Sequence, residues 1–407
     1  MSPAIRDYAA SFVKESLGLP VGALDSVLLP SGLVESIAGA VRGDEKASSP
    51  EPNVEVAINE FAAELESSEV EGSGFFVRKA RWPCNAPYAA ALTHDVDNIA
   101  RPRCHLIERR ARFSTGDFLL ALLGIRSVYN NIAYVAGLER ARGFRSSFYL
   151  LSSGYDLGKV SAGLRLLQRD GWDIGFHGDF GTHNSAAKFA EALSQFKSET
   201  GVEPVGVREH YLRFDFQKTW GIADSVGLDY DTSVGNRDVL GFRIGLATPF
   251  HPPDSGWRPI RLLELPLVLM DTTLWGYLKQ TEEEGRSDFM SLKKKVAGVN
   301  GLFTLLWHQE AARMRGGRIY PRLLDELRAD RCFVGTGSQV ADWWRKRGAP
   351  LTGSSQRFLM EDAPSGLCLL IKAKEELTAS VEGGVAQIEG KTGVVIADGG
   401  RLEVKLG

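Results

Sequence analysis

Asp95 and Asp97 stand two residues apart at the end of an apolar run, Tyr88-Ala89-Ala90-Ala91-Leu92. In an extended strand such residues share one side, about 7 Å apart, so both carboxylates can reach one object. Two carboxylates brought together repel unless a cation or a shared proton compensates them. Carboxylates and a histidine (His94) at the C-terminal end of a buried strand suit a divalent-metal hydrolase site in an α/β barrel. The plainer alternative is a strand-exit loop that uses Asp97-Asn98 as turn residues.

Further groups of the same kind lie downstream. His177 ends another apolar run, and His183 lies six residues on, across Gly178 and Gly181. Ligands four apart would share a helix face; six apart requires a loop that turns back, which the two glycines permit. An imidazole at a strand end is otherwise an ordinary hydrogen-bonded loop residue. Arg208 leaves a buried run at Gly206-Val207, and a buried guanidinium needs a carboxylate, for which Asp95 is the obvious partner and a structural Arg–Glu pair the alternative. Glu264-Leu265-Pro266-Leu267 runs on to Asp271, and Leu305-Leu306-Trp307-His308 ends in a histidine able to titrate near neutral pH, a candidate general acid.

The elements that must hold these residues are legible as alternation. Tyr88–Asp95, Ser147–Leu151, Asp173–His177, Gly206–His210, Leu263–Met270, Phe303–His308 and Cys332–Thr336 read as strands. Val160–Arg169, Ala186–Thr200, Phe216–Val226 and Arg322–Arg328 read as helices between them. Strand–helix alternation over roughly 250 residues predicts a parallel sheet and suits a barrel, although an open doubly wound sheet alternates in the same way. Residues 1–80 carry helical patterns (Tyr8 to Leu17, Val54 to Leu65) broken by a polar stretch, Gly43 to Asn53. After residues 81–347 comes a Gly/Ser/Pro linker, Gly348 to Ser355. Residues 356–407 then show short β-like runs, Leu367–Ile371, Val385–Ile388, Gly393–Ile396 and Leu402–Leu406, with turns at Gly383-Gly384 and Gly399-Gly400.

Composition narrows the function. The 407 residues are 43% hydrophobic and 24% charged, with a formal net charge of −3. That balance gives no reason to expect nucleic acid as a partner, and Lys293-Lys294-Lys295 reads as a solvated helix face. The four cysteines show no CxxC pair, against a structural zinc site or a disulfide scaffold. No basic and apolar leader opens the sequence, and no apolar run is long enough to span a bilayer, so a cytoplasmic protein without a membrane span is expected.

Taken in order, the five segments resemble the polysaccharide deacetylase family (NodB homology domain, carbohydrate esterase family 4) over about residues 86–345. Thr93-His94-Asp95-Val96-Asp97 is similar to its first motif, which implies Asp95 as base and Asp97 as metal ligand. His177 matches the first histidine of the H-S/T-x-x-H motif; position 181 is Gly, which leaves His183 as a displaced candidate for the second. Arg208-Glu209-His210-Tyr211 resembles R-x-P-Y with His210 in place of Pro. Arg208 would then orient the base, and the Tyr211 backbone N–H would face the oxyanion. Asp271 falls where the fourth motif carries an acidic residue, and Leu305 with His308 matches L-x-x-H. Gly227-Leu228-Asp229-Tyr230-Asp231-Thr232-Ser233-Val234-Gly235 and Gly241-Phe242-Arg243 resemble a less-characterised bacterial branch of the same superfamily.

The fold implied is α/β: a distorted (β/α) barrel of seven or eight strands, with an N-terminal helical extension and a small C-terminal all-β domain. The activity implied is metal-dependent removal of an N-acyl group, acetyl or formyl, from an amino sugar or glycan. Asp97, His177 and His183 would hold a divalent metal, zinc by default, with cobalt, nickel or iron compatible. A small-molecule amidase using the same site, and a non-catalytic glycan-binding protein with a decayed site, are the rival readings.

Overall fold

Ala89–Val96 is buried along its whole length, as a parallel strand covered on both faces must be. Its alternation sorts the residues. Ala89 and Ala91 pack with Tyr149, Tyr230 and Leu302, whereas Ala90, Leu92 and Val96 join the larger core beneath the helices. Thr93 and Asp95 continue the first, inward set.

The computed structural model describes residues 1–407 apart from Ser26 and Ser355. Strands run in the order Leu263–Glu264, Tyr230–Asp231, Gly206–Glu209, Asp173–Gly178, Ser147–Leu151, Ala89–Val96, Leu302–Leu306 and Leu267–Met270. Every pairing in this sheet is parallel. Phe333–Gly335 lies beside Ala89, Ala90 and Ala91, while Ser147–Leu151 takes over from Thr93 onward. The expected single strand Leu263–Met270 is split at Leu265-Pro266, because proline cannot donate to a ladder. Leu265 and Leu267 donate instead to the carbonyls of Asp231 and Val234, at 2.8 and 2.9 Å. The same segment then pairs with Leu302–Leu306, so it joins the two ends of the curled sheet. This is a distorted (β/α) barrel. Arg103–Glu108, Thr115–Leu122, Ile132–Arg140, Gly158–Arg169, Ala186–Thr200, Thr219–Ser225, Glu282–Gly298 and Tyr320–Ala329 are α-helices between its strands.

Pro3–Leu17, Ser31–Arg42 and Asn53–Ser73 form the helical N-terminal part. It is tied to the segment entering the barrel by a buried Arg81–Glu55 ion pair at 2.8 Å. A strand not read from the sequence, Phe75–Lys79, pairs antiparallel with Cys368–Ala373. The small C-terminal β region consists of two four-stranded antiparallel sheets. The expected linker Gly348 to Ser355 contains a short strand, Thr352–Ser354, paired with Arg357–Ala363; its last residue, Ser355, lies outside the described residues. Trp343, Trp344 and Val340 share a core with Ala89, Ala91 and this β region, which closes the barrel at the ends where its strands begin.

On the outer side of Ala89–Val96, both ring nitrogens of His94 are occupied. One is 2.6 Å from the Trp307 carbonyl and the other 2.7 Å from Glu139 Oε1. Glu139 also accepts from Ser146 Oγ at 2.7 Å, Trp172 Nε1 at 3.2 Å and the Tyr320 hydroxyl at 2.7 Å. His94 therefore anchors the back of the strand whose front carries Asp95. Glu139→Ala leaves four buried donors without an acceptor, and we expect it to cost about 3–5 kcal/mol in denaturant unfolding. A loss below about 1 kcal/mol would mean that water replaces the carboxylate.

Candidate metal and catalytic site

Parallel strands end together, so the C-terminal ends of Ala89–Val96, Asp173–Gly178, Gly206–Glu209, Leu267–Met270 and Leu302–Leu306 deliver their polar residues to one mouth. Arg208 is fully buried. Its NH1 donates to Asp95 Oδ1 at 3.0 Å and to Thr93 Oγ1 at 2.8 Å, and its Nε donates to the Thr232 carbonyl at 3.0 Å. The guanidinium lies 4.7 Å above the Tyr149 ring. Thr93, one inward position below Asp95, thus helps to fix the cation that orients the carboxylate.

Asp97, His177 and His210 meet beside this pair, with one ligand atom from each lying within 4.8 Å of the others. Asp97 Oδ1 is 3.4 Å from His177 Nε2 and 3.8 Å from His210 Nε2. These separations exceed ordinary hydrogen bonds. They are close to the roughly 3.4 Å between two donors on a tetrahedral ion with bonds of about 2.1 Å. Asp97 Oδ1 and His177 Nε2 are buried without any hydrogen-bond partner, and such atoms are costly unless something occupies the space between them. The other nitrogen of His177, Nδ1, sits 2.8 Å from the Arg208 carbonyl, which aims Nε2 inward. One carboxylate and two imidazoles fit a divalent cation.

The electrostatics agree with that fit. Burial opposes ionisation of Asp97, but the His177, His308 and His210 imidazoles outweigh it and hold the carboxyl well below its usual range. Burial, reinforced by His177, lowers His210 to about 4, so it is neutral at pH 7 with a lone pair to offer. Burial alone would lower His177 as well, but the Asp95 and Asp97 carboxylates raise it.

His183 is not in this group. The segment between the two histidines does turn, with Gly181 at φ 84°, but it is tied elsewhere. Thr182 Oγ1 donates to Glu209 Oε2 at 2.5 Å, and the His183 carbonyl accepts from Thr219 Oγ1 at 2.7 Å. A side chain at position 178 would collide with the Glu209 carboxylate, so Gly178 makes room for that tie. Burial pushes the Glu209 carboxyl up to about 8, which removes it as a competing anion at neutral pH.

His210 is the residue that sequence reasoning left without a role. The strand stops at Glu209, one residue earlier than expected, because His210–Leu212 forms a tight turn with Tyr211 at φ 61° and Leu212 at φ 52°. Non-glycine residues in this left-handed region are uncommon and cluster at functional sites. The turn stacks Tyr211 on the His210 ring at 4.1 Å and sets Phe180 edge-on at 5.8 Å. The available signal was a histidine at the position where the resemblance calls for proline.

Asp271 and His308 form the remaining pair. Asp271 Oδ1 lies 2.6 Å from His308 Nδ1, and Oδ2 accepts the His308 backbone N–H at 3.1 Å. Both oxygens of this 1% exposed carboxylate are therefore engaged with His308. Burial alone would lower the His308 pKa, but Asp271, with Asp97 adding, carries it well above the usual histidine value. His308 Nε2 is 3.9 Å from Asp97 Oδ2. Asp95, Asp97, His210, Tyr211, Asp271 and His308 all line one cavity of about 480 Å³.

Solved structures show similarity to part of this chain. The crystal structure of a putative polysaccharide deacetylase from Mycobacterium smegmatis is 18% identical and aligns with a TM-score of 0.49, covering 67% of this chain and 96% of that one. A probable polysaccharide deacetylase from Pseudomonas aeruginosa PAO1 is 14% identical with a TM-score of 0.47, covering 66% and 94% of the two chains. Puue allantoinase is 15% identical with a TM-score of 0.47, covering 66% of this chain and 93% of that one. No family model and no curated protein sequence matches the chain. Among the described residues no helix is long and apolar enough to cross a membrane.

Proposed function

We propose that this protein is a metal-dependent hydrolase that removes an N-acyl group, acetyl or formyl, from an amino sugar or glycan. The observation that carries the reading is the Asp97–His177–His210 cluster with its unpartnered buried ligand atoms, flanked by a carboxylate on one pair and an imidazole on another. Asp97, His177 and His210 would hold a divalent ion, zinc by default for this donor set, which would supply Lewis acidity towards an acyl oxygen and water.

The chain's own residues do the rest. Asp95 has Oδ1 committed to Arg208, which leaves Oδ2, 3.6 Å from His177 Nε2, to accept a proton from attacking water. His308 holds its Nδ1 on Asp271 and delivers a proton from Nε2 to the departing nitrogen, without which an amide expels its amine slowly. Asp271 positions that imidazole. Tyr211 lines the cavity beside His210, and its backbone N–H is the candidate donor to the oxyanion.

The test is elemental analysis of purified variants. His210→Ala and His177→Ala should lose the ion, because three protein ligands leave little affinity when one is removed. His183→Ala should keep it. Retention in His210→Ala together with loss in His183→Ala would reverse the ligand assignment. Amine release from N-acetylated and N-formylated sugars, absent from metal-stripped protein and restored by the ion, tests the reaction itself.

A further inference from the structure

The cavity's charge is unlike what a neutral sugar needs. Four cationic side chains border it, Arg112, Arg237, Lys279 and Arg315, all exposed. Among the described residues none of the four enters an ion pair within 4.0 Å, nor does any of their side-chain nitrogens donate a hydrogen bond. Of the carboxylates in the same lining, Asp95 is engaged by Arg208 and Asp271 by His308, while Asp97 belongs to the Asp97–His177–His210 cluster. Glu310 alone remains.

Two of these cations are held side by side by the backbone. Phe113 and Met314 form an isolated antiparallel bridge, and the Arg315 N–H donates to the Arg112 carbonyl at 2.7 Å. Arg112 and Arg315 are thus cross-strand neighbours, an arrangement that like charges make unfavourable. The other two sit on a second wall. Arg237 is tied there through its carbonyl, which accepts from Thr273 Oγ1 at 2.8 Å, and its guanidinium lies over the Tyr277 ring at 5.6 Å. Lys279 comes after the π-helical turn Thr273–Tyr277 and adopts φ 56°. π-turns and left-handed non-glycine residues are both features that recur at functional sites. Two walls therefore each present two unpaired cations to one cavity.

We propose that the substrate is an amino sugar bearing a phosphate or pyrophosphate ester, which Arg112 and Arg315, with Arg237 and Lys279, hold at the cavity rim. This rests on the N-acyl hydrolase reading for the sugar and adds the anion. Guanidinium forks match phosphoryl oxygens, and a phosphoryl group brings the charge that a cluster of four cations can neutralise.

The test is calorimetric binding to metal-loaded protein, comparing N-acetylglucosamine with its anomeric phosphate. The phosphorylated sugar should bind tighter by at least about tenfold, and added salt should erode the difference. In Arg112→Gln/Arg315→Gln, with metal content unchanged, that preference should disappear. A preference that survives in the double variant overturns the proposal that Arg112 and Arg315 hold the phosphate; so does equal binding of the two sugars, or no binding of the phosphate. Binding is read without turnover, so failure of the hydrolase reading shows separately, as absent amine release. Two further probes, a uridine-diphosphate amino sugar and phosphatidylcholine vesicles containing a polyprenyl phosphate, distinguish a nucleotide from a lipid source, and Arg-dependent binding of either supports the proposal.

Discussion

Asp97→Ala is expected to abolish both metal content and turnover, the latter by roughly 10³-fold or more, because a Lewis-acid ion is worth several kcal/mol at the transition state. Asp97 is the only carboxylate of the cluster and the point on which both imidazoles converge. Without it, His177 and His210 face each other with ring centroids 5.1 Å apart and the cluster has no carboxylate ligand of its own. The control is Asp95→Asn. That residue holds Arg208 through Oδ1 and is not one of the three clustered ligands, although its Oδ2 lies 3.6 Å from His177 Nε2, so the variant should keep its ion and lose about 10²-fold or more in rate. Equal metal content in wild type and Asp97→Ala, measured by elemental analysis, would refute the site. Metal affinity should also fall as the pH is lowered. His177 has a raised pKa, so its proton competes with the ion from a pH above the ordinary histidine value, and binding releases that proton.

Local pattern carried most of the fold. Each barrel strand expected from its apolar run is present, because a strand buried on both faces needs apolar residues throughout and is then punctuated by polar ones. What could not be read was long-range. Phe75–Lys79 finds its partner at Cys368–Ala373, and no feature within five residues specifies a strand nearly three hundred positions away. The same limit applied at the site. Asp97 and His177 stand out at strand ends, but the choice between His183 and His210 depended on where two loops travel. Spacing favoured His183, which is nearer in sequence to His177. Tertiary ties hold His183 elsewhere and bring His210 beside Asp97 and His177: Thr182 to Glu209, Thr219 to the His183 carbonyl, and a left-handed turn at Tyr211. Asp271 was visible only as an acidic residue near a strand end. Its role beneath His308 needed the register between Leu267–Met270 and Leu302–Leu306, which sets Met270 opposite Leu306.

That register leads to the last expectation. In Asp271→Asn the carboxylate that holds His308 Nδ1 at 2.6 Å becomes a neutral amide. Burial then acts on His308 with less opposition, so its pKa drops from its elevated position. A general acid works only while protonated, and its contribution disappears as the pH rises through its pKa. The basic limb of the rate profile should therefore move to lower pH in Asp271→Asn, with turnover at neutral pH falling by roughly 10²-fold. In His308→Ala the limb should vanish and the rate should fall by roughly 10²–10⁴-fold. Combining the two substitutions should cost little more than His308→Ala alone, because Asp271 acts through His308 and residues of one unit are not additive. Metal content separates this from damage to the cluster: both variants should retain the ion, since neither residue belongs to it. A basic limb that stays in place in Asp271→Asn, with the ion bound and the rate reduced, would assign Asp271 to the substrate rather than to the imidazole.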